Sequence, residues 1–375
     1  MNIGERIKQA REIQKLTQAE LAKAVGVNQS TIARLESDGV DDPEQSHVHA
    51  ISLRTGFPLA FFRQGPPPEF ALGSLLFRKR KSLDRDDKAH IRQIARLAYE
   101  LAEKLTARAK PIEIRIKRFS GPIDPVRAAK VTRDNFGLSP DTPVYKLMHA
   151  IEKNGVLVLA LPIEIPKYDA FSLWSDGEPR QPIIVLSANR PGDRVRFSLA
   201  HELGHLVMHH PLAIGNPLIE DEANGFASEF LVPEEAIRRE IETPVTLTHL
   251  AELKARWGVS MQALIMRALA LDLVSSRQTR RLFMALSAKG WRTAEPVPIP
   301  TEKPRRLRKM AEAVAPDVRE LAALVNAPIR LIREVLESHA GRDELSPRIS
   351  LTPPASEANR VSRIIDLRNR LPRQS

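Results

Sequence analysis

The stretch FSLAHELGHLVMHH, residues 197–210, places four histidines and one glutamate in an otherwise apolar run. Burying so many ionisable groups is costly unless a partner satisfies them. On a helix that advances about 100° per residue, His205 lies about 40° and Glu202 about 100° from His201. The three side chains therefore share one arc of a helix whose other sides are mostly apolar.

Two imidazoles four residues apart can bind one metal ion, and a glutamate between them can accept a proton from water that the metal activates. The spacing is the HExxH arrangement. It predicts His201 and His205 as zinc ligands and Glu202 as the general base of a hydrolase. The alternative is two core histidines that happen to lie four residues apart.

A third ligand must come from another part of the chain. The metzincin extension of HExxH would need glycine at position 208 and histidine at position 211. The chain has Met208 and Pro211 at these positions. The metzincin class is therefore excluded.

The next helical run, LIEDEANGFASEFLVP at residues 218–233, carries the acidic candidates for the third ligand. Its apolar stripe is centred about 60° from Glu220 and about 100° from Glu222. Glu220 is therefore the predicted third ligand, and Glu222 is the alternative candidate. Asn224, one turn beyond Glu220, is a predicted supporting partner of the ligands.

The amino-terminal stretch LTQAELAKAVGVNQSTIARLE, residues 16–36, has the layout of two short helices joined by a tight turn. Thr17 and Glu20 have the spacing of a capping box, Gly26 provides the turn, and Asn28 can cap the second helix. This pattern predicts a helix-turn-helix that offers its second helix to the major groove of DNA.

This stretch resembles the phage-repressor (Cro/cI-type, XRE) helix-turn-helix family from Ile3 to about Phe62, with the signature Q-x-E-L-A-x-x-x-G-V at residues 18–27. The resemblance implies a five-helix domain that binds an operator in double-stranded DNA. It also implies that base edges face Gln29, Ser30 and Arg34, and that phosphates lie near Gln18 and Thr31. Arg11 and Glu36 match a structural salt bridge of that family.

Residues 1–65 carry as many acidic as basic side chains. This neutrality favours the alternative that the amino-terminal module binds protein rather than DNA. We nevertheless expect DNA binding.

The motif RFSLAHELGHLVMH followed by IEDEANGFASEFLVP resembles the ImmA/IrrE family of metallopeptidases. The resemblance covers roughly residues 110–275. The resemblance implies zinc bound by His201, His205 and Glu220, with Glu202 as the catalytic glutamate. It also implies that a helix-turn-helix repressor is the substrate. For the donor that would stabilise the oxyanion, Tyr168, Arg196 and His209 remain open candidates.

Composition excludes several classes of chemistry. The chain has no cysteine, so disulfides, thiol catalysis and cysteine-ligated metal sites are excluded, and a reducing cytosol fits. The first residues, MNIGERIKQAREIQKL, lack the apolar core of a signal peptide, and no run has the length of a membrane span. We expect a cytoplasmic protein without a membrane partner.

The formal net charge of +11 is unevenly distributed. Residues 77–118 carry 14 basic against 6 acidic side chains, including the run Arg78–Lys81, whereas residues 119–275 carry 15 against 20. A basic excess of this kind favours contact with a polyanion, and solvated helix faces are the alternative.

The fold class that we expect is multidomain and mainly α, with a helix-turn-helix domain, an α+β zincin-like domain and a helical carboxyl-terminal region. No internal repeat is expected. The predicted order is a helix-turn-helix domain at 1–65, a linker and basic helix at 66–110, a zinc peptidase domain at 111–275, a helical region at 276–340 and a polar tail at 341–375.

Two functions follow from these features. The first is a DNA-binding regulator whose zinc metalloendopeptidase domain cleaves a repressor, or the chain itself, in a stress or mobile-element response. The second is a non-catalytic transcription factor or antitoxin-like repressor whose peptidase-like domain senses a ligand or partner. Monomer and homodimer both stay open.

Overall fold

The computed structural model describes residues 3–37, 44–69, 84–108, 113–163, 165, 168–175, 180–209, 217–315 and 317–341. The basic run at 78–81 and most of the predicted polar tail lie outside these residues. Within them the fold is multidomain and mainly α, as predicted, with one small three-stranded sheet. No helix in these ranges is both long and apolar enough to span a bilayer.

The helices of the described ranges, in chain order, are α1 (Ile3–Ile13), α2 (Gln18–Val25), α3 (Gln29–Glu36), α4 (Gln45–Thr55), α5 (Leu59–Phe62), α6 (Arg85–Thr106), α7 (Pro125–Asn135), α8 (Leu147–Lys153), α9 (Gly192–Met208), α10 (Pro217–Leu231), α11 (Glu234–Glu240), α12 (Leu247–Trp257), α13 (Met261–Ala270), α14 (Ser276–Ala288), α15 (Arg306–Val314), α16 (Val318–Val325) and α17 (Ile329–Glu337). The strands are β1 (Leu157–Leu161), β2 (Ala170–Trp174) and β3 (Pro182–Ser187).

The chain forms two compact units, each built from separated segments. Unit 1 comprises Met1–Ile114, Gly155–Asn189 and Lys303–Glu344. Unit 2 comprises Arg115–Asn154, Arg190–Glu302 and Leu345–Ser375. The domain boundaries drawn from the sequence stay a prediction.

Five helices, α1 to α5, form the predicted amino-terminal domain in unit 1. Its core is apolar and closed to solvent. Fully buried members are Ile7, Leu21, Ile32, Ile51, Phe61 and Phe62. Burial of this size is the main favourable term that holds such short helices together, because helices of eight to eleven residues are marginal in isolation.

Helix α6 is the central helix of unit 1. Its apolar stripe, Ile91, Ile94, Leu97, Leu101 and Leu105, is at most 3% exposed. The helix begins at Arg85, because Asp84 has extended torsion angles and its carboxylate accepts the N–H of Asp87.

A buried ion pair joins α1 to α6. The Arg6 guanidinium donates to both Glu100 oxygens, at 2.8 and 3.1 Å, and both side chains are less than a tenth exposed. The amino-terminal domain is therefore anchored on α6. On other faces α6 contacts α15, α16 and β1.

The sheet of unit 1 has the order β1-β3-β2, with β1 parallel and β2 antiparallel to β3. The apolar runs at residues 156–161 and 182–186 predict strands, which correspond to β1 and β3, whereas β2 was not predicted from the sequence. Strand β2 has the sequence AFSLW and four of its five residues are buried, so it lacks the alternation that marks a half-exposed strand.

Unit 2 is built around α9, the helix of the HExxH motif. It packs against α7, α8 and α10, and α7 also contacts α10. Helices α12, α13 and α14 form a second group of mutual contacts within this unit. The metal-ligand candidates of both α9 and α10 thus lie in one compact unit.

Candidate metal centre and DNA-binding helix

Close approach of α9 and α10 positions the predicted ligands. The apolar stripe of α10 is buried, with Ala223, Phe226, Ala227 and Phe230 at 0% exposure. A β-carbon at Gly204 would lie 3.0 Å from Cδ1 of the Phe226 ring. The glycine inside HExxH therefore permits the contact that brings α10 against α9.

The structure brings His201, His205 and Glu220 together as one group that could hold a metal ion. The two histidine Nε2 atoms are 3.1 Å apart. Glu220 carboxylate oxygens lie 3.5 Å from Nε2 of His201 and 3.3 Å from Nε2 of His205. One ligand atom from each of the three residues thus lies within 4.8 Å of the other two.

Asn224 determines which nitrogen of His201 carries the proton. Nδ1 of His201 lies 3.0 Å from the Asn224 side-chain oxygen, which only accepts hydrogen bonds. The ring therefore donates from Nδ1, and its Nε2 keeps a lone pair that points at His205 and Glu220. This is the predicted supporting role of Asn224.

A second chain of hydrogen bonds determines which nitrogen of His205 carries the proton. Nε2 of His209 lies 3.0 Å from Oε2 of Glu222, and Nδ1 of His209 lies 2.9 Å from Nδ1 of His205. Because the Glu222 carboxylate is an acceptor, His209 donates from Nε2 and accepts at Nδ1. His205 then donates from Nδ1 and keeps its lone pair on Nε2.

These residues fit a zinc ion. Two neutral imidazole lone pairs face each other at 3.1 Å beside a carboxylate, an arrangement that repels unless a cation lies between them. Ligand atoms about 3.3 Å apart are expected around a tetrahedral zinc with bonds of about 2.0–2.1 Å. Nitrogen and carboxylate oxygen are also the donors that zinc accepts in catalytic sites.

Local electrostatics agree with this set of donors. Burial, followed by the neighbouring His205, lowers the pKa of His209 to about 4. His209 is therefore neutral at pH 7, which its two hydrogen bonds require.

Glu202 lies on α9 between the two histidines and is fully buried. The sequence identified this residue from its spacing alone. Sequence reasoning missed the pairing of His209 with Glu222. The i, i+4 spacing of His205 and His209 could have indicated that these two rings are in contact. No sequence pattern indicated the contact of His209 with Glu222 on α10.

Arg196, a candidate oxyanion donor, is occupied elsewhere. Its guanidinium donates to Glu302 at 2.5 Å, to the Val144 carbonyl at 2.6 Å and to the Gly258 carbonyl at 3.0 Å, and it is 0% exposed. Arg196 is therefore a structural anchor that joins Val144, Gly258 and Glu302. Tyr168, another candidate, is buried in unit 1 at 2% exposure.

The helix-turn-helix has the caps that its sequence predicts, with one exception. Thr17 and Glu20 form a reciprocal capping box, and Gly26 ends α2 in the left-handed conformation at φ 77°. Asn28 occupies the N-cap position of α3 but makes no side-chain cap bond, contrary to expectation. Helix α3 is instead held by its buried face.

The predicted readout residues lie on the outer face of α3. Gln29, Ser30 and Arg34 are exposed, and Thr31 is half-buried. Gln18 is also half-buried. These positions are accessible to a DNA duplex, and their contacts with bases or phosphates stay predictions.

Arg11 and Glu36, which match a structural salt bridge of the repressor family, form a buried ion pair with donor–acceptor distances of 2.5 and 2.9 Å. The Gln18 amide donates to the same Glu36 carboxylate at 2.9 Å. This triad ties α1, the start of α2 and the end of α3 together. It fixes the angle at which α3 is presented.

Comparisons with known families match both the helix-turn-helix and the peptidase-like region. The family described as "Helix-turn-helix" matches residues 7–62, and the peptidase family described as "IrrE N-terminal-like domain" matches residues 151–269. A search of the curated proteins finds no match. The chain therefore combines an amino-terminal XRE-type helix-turn-helix with an IrrE N-terminal-like peptidase domain, and it is a DNA-binding regulator with a metallopeptidase-like domain.

Proposed function

We propose that this regulator is a zinc metalloendopeptidase that cleaves a protein substrate, most simply a helix-turn-helix repressor or a second copy of itself. The observation that carries the proposal is the convergence of the His201 and His205 lone pairs with the Glu220 carboxylate, beside the buried Glu202. The cytoplasm is the proposed location, and a homodimer would match a palindromic operator.

His201, His205 and Glu220 would hold the zinc ion in this proposal. When bound, zinc would polarise the scissile carbonyl and make water acidic enough to lose a proton near neutral pH. Glu202 accepts the proton from the attacking water and passes it to the leaving amine nitrogen. Its burial keeps the carboxylate away from bulk solvent, which strengthens its interaction with the developing charges.

The test of the proposal is cleavage by the purified protein. The zinc-loaded chain is incubated with the repressors encoded in its own genomic neighbourhood, with and without a chelator. We expect one repressor to be cut, and only without the chelator. Intact substrates in every combination, with one zinc bound per chain, would favour the second function below.

The second candidate is a sensor without catalysis, and one observation favours it. Helix α6 contacts α1 of the helix-turn-helix and also contacts β1, a strand inside the segment that matches the peptidase family. A ligand or partner that shifts β1 therefore has a packed route to the DNA-binding domain through α6. Such a route needs no cleaved bond.

The first prediction concerns His209. Phenylalanine at position 209 fills similar volume but cannot accept the His205 proton, so the His205 ring loses the bond that sets its tautomer. We expect zinc affinity to fall about 10–100-fold, as is usual when a supporting partner is removed. Competition with a chromophoric chelator measures it.

His209→Gln is the matched control, because its amide has both an acceptor for His205 and a donor for Glu222. It should retain most of the affinity that His209→Phe loses. Equal losses in the two variants would assign His209 a packing role only.

The second prediction concerns DNA readout. Because Arg34 is exposed on α3, its replacement by alanine should remove a base contact. We expect specific operator binding to weaken by about 1–3 kcal/mol, with binding to random duplexes nearly unchanged. Equal losses on the operator and on random DNA would show that Arg34 contacts a phosphate.

A further inference from the structure

Residues 317–337 repeat the helix-turn-helix of residues 17–37 at a constant offset of 300. Helix α2 has eight residues after the cap Thr17, and α16 has eight residues after the cap Asp317. Both end in a left-handed residue, Gly26 at φ 77° and Asn326 at φ 48°. The second helices, α3 and α17, each begin three positions later.

Two backbone hydrogen bonds of the turn occur in both copies. The N–H of Val27 donates to the Ala22 carbonyl at 3.0 Å, and the N–H of Ala327 donates to the Ala322 carbonyl at 3.0 Å. The left-handed residues Gly26 and Asn326 also donate to these same carbonyls. The two turns are therefore the same backbone structure.

The buried positions correspond as well. Five of the 21 aligned residues are identical, and four of these five pairs are apolar: Leu21 and Leu321, Ala22 and Ala322, Val25 and Val325, Ile32 and Ile332. Leu321, Ala322, Val325 and Ile332 are at most 3% exposed. The repeat thus keeps the core of a helix-turn-helix and varies its surface.

Helix α15 lies along the chain at the offset position of α1. Its buried face carries Leu307 and Met310, at the offset positions of the buried Ile7 and Ala10. Residues 303–337 carry eight basic against five acidic side chains, and residues 3–37 carry six against four. Both three-helix segments are therefore mildly basic.

The outer face of α17 is exposed to solvent, and it carries positive charge in the first half of the helix. Ile329, Arg330 and Arg333 are exposed, and the Arg330 side chain is 88% exposed despite its pairing with Glu334 at 2.8 Å. Arg333 makes no ion pair with any residue in the described ranges. Arg330 stands at the offset position of Ser30, which the first motif offers to DNA.

We infer that residues 303–337 form a second helix-turn-helix, which binds double-stranded DNA through α17. Arg330 and Arg333 contact phosphates or base edges, and the exposed Ile329 suits a thymine methyl group. The matched helix-turn-helix family covers residues 7–62, so this second module lies outside it. One chain then contacts DNA through two recognition helices.

The test measures how binding of the full-length protein to a random-sequence duplex depends on salt. The variant Arg330→Ala with Arg333→Ala should bind more weakly, and the slope of log affinity against log salt should become shallower by about 2. Both side chains are exposed, so the thermal unfolding temperature should not change. A preserved unfolding temperature shows that any loss is not a loss of fold.

The matched control is Arg277→Ala with Arg280→Ala, which removes the same charge from exposed positions on α14. It should leave the slope nearly unchanged. Equal slopes in the wild type and the α17 variant, or an equal change in both double variants, would overturn the inference. The repeat would then be structural only, while the Arg34 result would still report on the first module.

Discussion

Alanine at His201, His205 or Glu220 is expected to abolish stoichiometric zinc binding. Each variant removes one of three donors whose atoms lie 3.1–3.5 Å apart, and the two that remain cannot hold the ion alone. Metal analysis of the purified, dialysed variants measures the effect. We expect about one zinc per wild-type chain and close to none in each variant.

Glu222→Ala is the control for this experiment. Glu222 bonds His209 rather than joining the ligand group, so its removal should weaken zinc binding while leaving about one zinc per chain at saturation. Loss of the metal in Glu222→Ala together with its retention in Glu220→Ala would show that Glu222, and not Glu220, is the metal ligand. The helical-phase argument that selects Glu220 would then be wrong.

Glu202→Gln is expected to reduce cleavage of the substrate by about 10²–10⁴-fold. Glutamine keeps the shape and most of the hydrogen-bonding capacity of the side chain but cannot accept a proton at neutral pH. Because Glu202 is not a member of the ligand group, zinc content and DNA affinity should stay at the wild-type level. Single-turnover cleavage assays give the rate.

Comparison with His201→Ala separates the two roles in that assay. The Glu202 variant should be inactive with zinc bound, and the His201 variant inactive without it. If Glu202→Gln also loses its zinc, the residue is needed to hold the metal and its assignment as the general base fails.

Local periodicity explains which parts of the site could be predicted. His201, Glu202 and His205 follow from spacing on one helix, and Glu220 follows from its angle to the apolar stripe of the next helix. The two helices of the helix-turn-helix could be predicted in the same way, because Thr17, Glu20 and Gly26 mark the ends of α2 in the sequence. The five-helix domain followed from the family resemblance alone.

Contacts between helices explain what could not be predicted. The Glu222–His209 hydrogen bond depends on the close approach of α10 to α9 and has no signature along the chain. Likewise, the three bonds of Arg196 reach residues 52 to 106 positions away, so its burial and loss of availability could not be read from its neighbours.

The internal repeat was missed for a different reason. In the second copy, Asn326 replaces the turn glycine and Pro328 replaces the capping asparagine, so the turn signature of the first copy is absent. Asparagine tolerates the left-handed conformation, and proline is accepted before a first helical turn. The backbone conformation is the same in the two copies, although the residues that mark the turn and the helix cap differ.

The most direct test of the central claim is the transcriptional response of a strain carrying Glu202→Gln, measured with a reporter on the operator that the protein binds. If proteolysis drives the switch, the variant should be present at wild-type levels with its zinc, should occupy the operator, and should fail to change transcription on induction. A fully normal response would contradict the proteolytic mechanism and leave a DNA-binding regulator with a non-catalytic sensing domain.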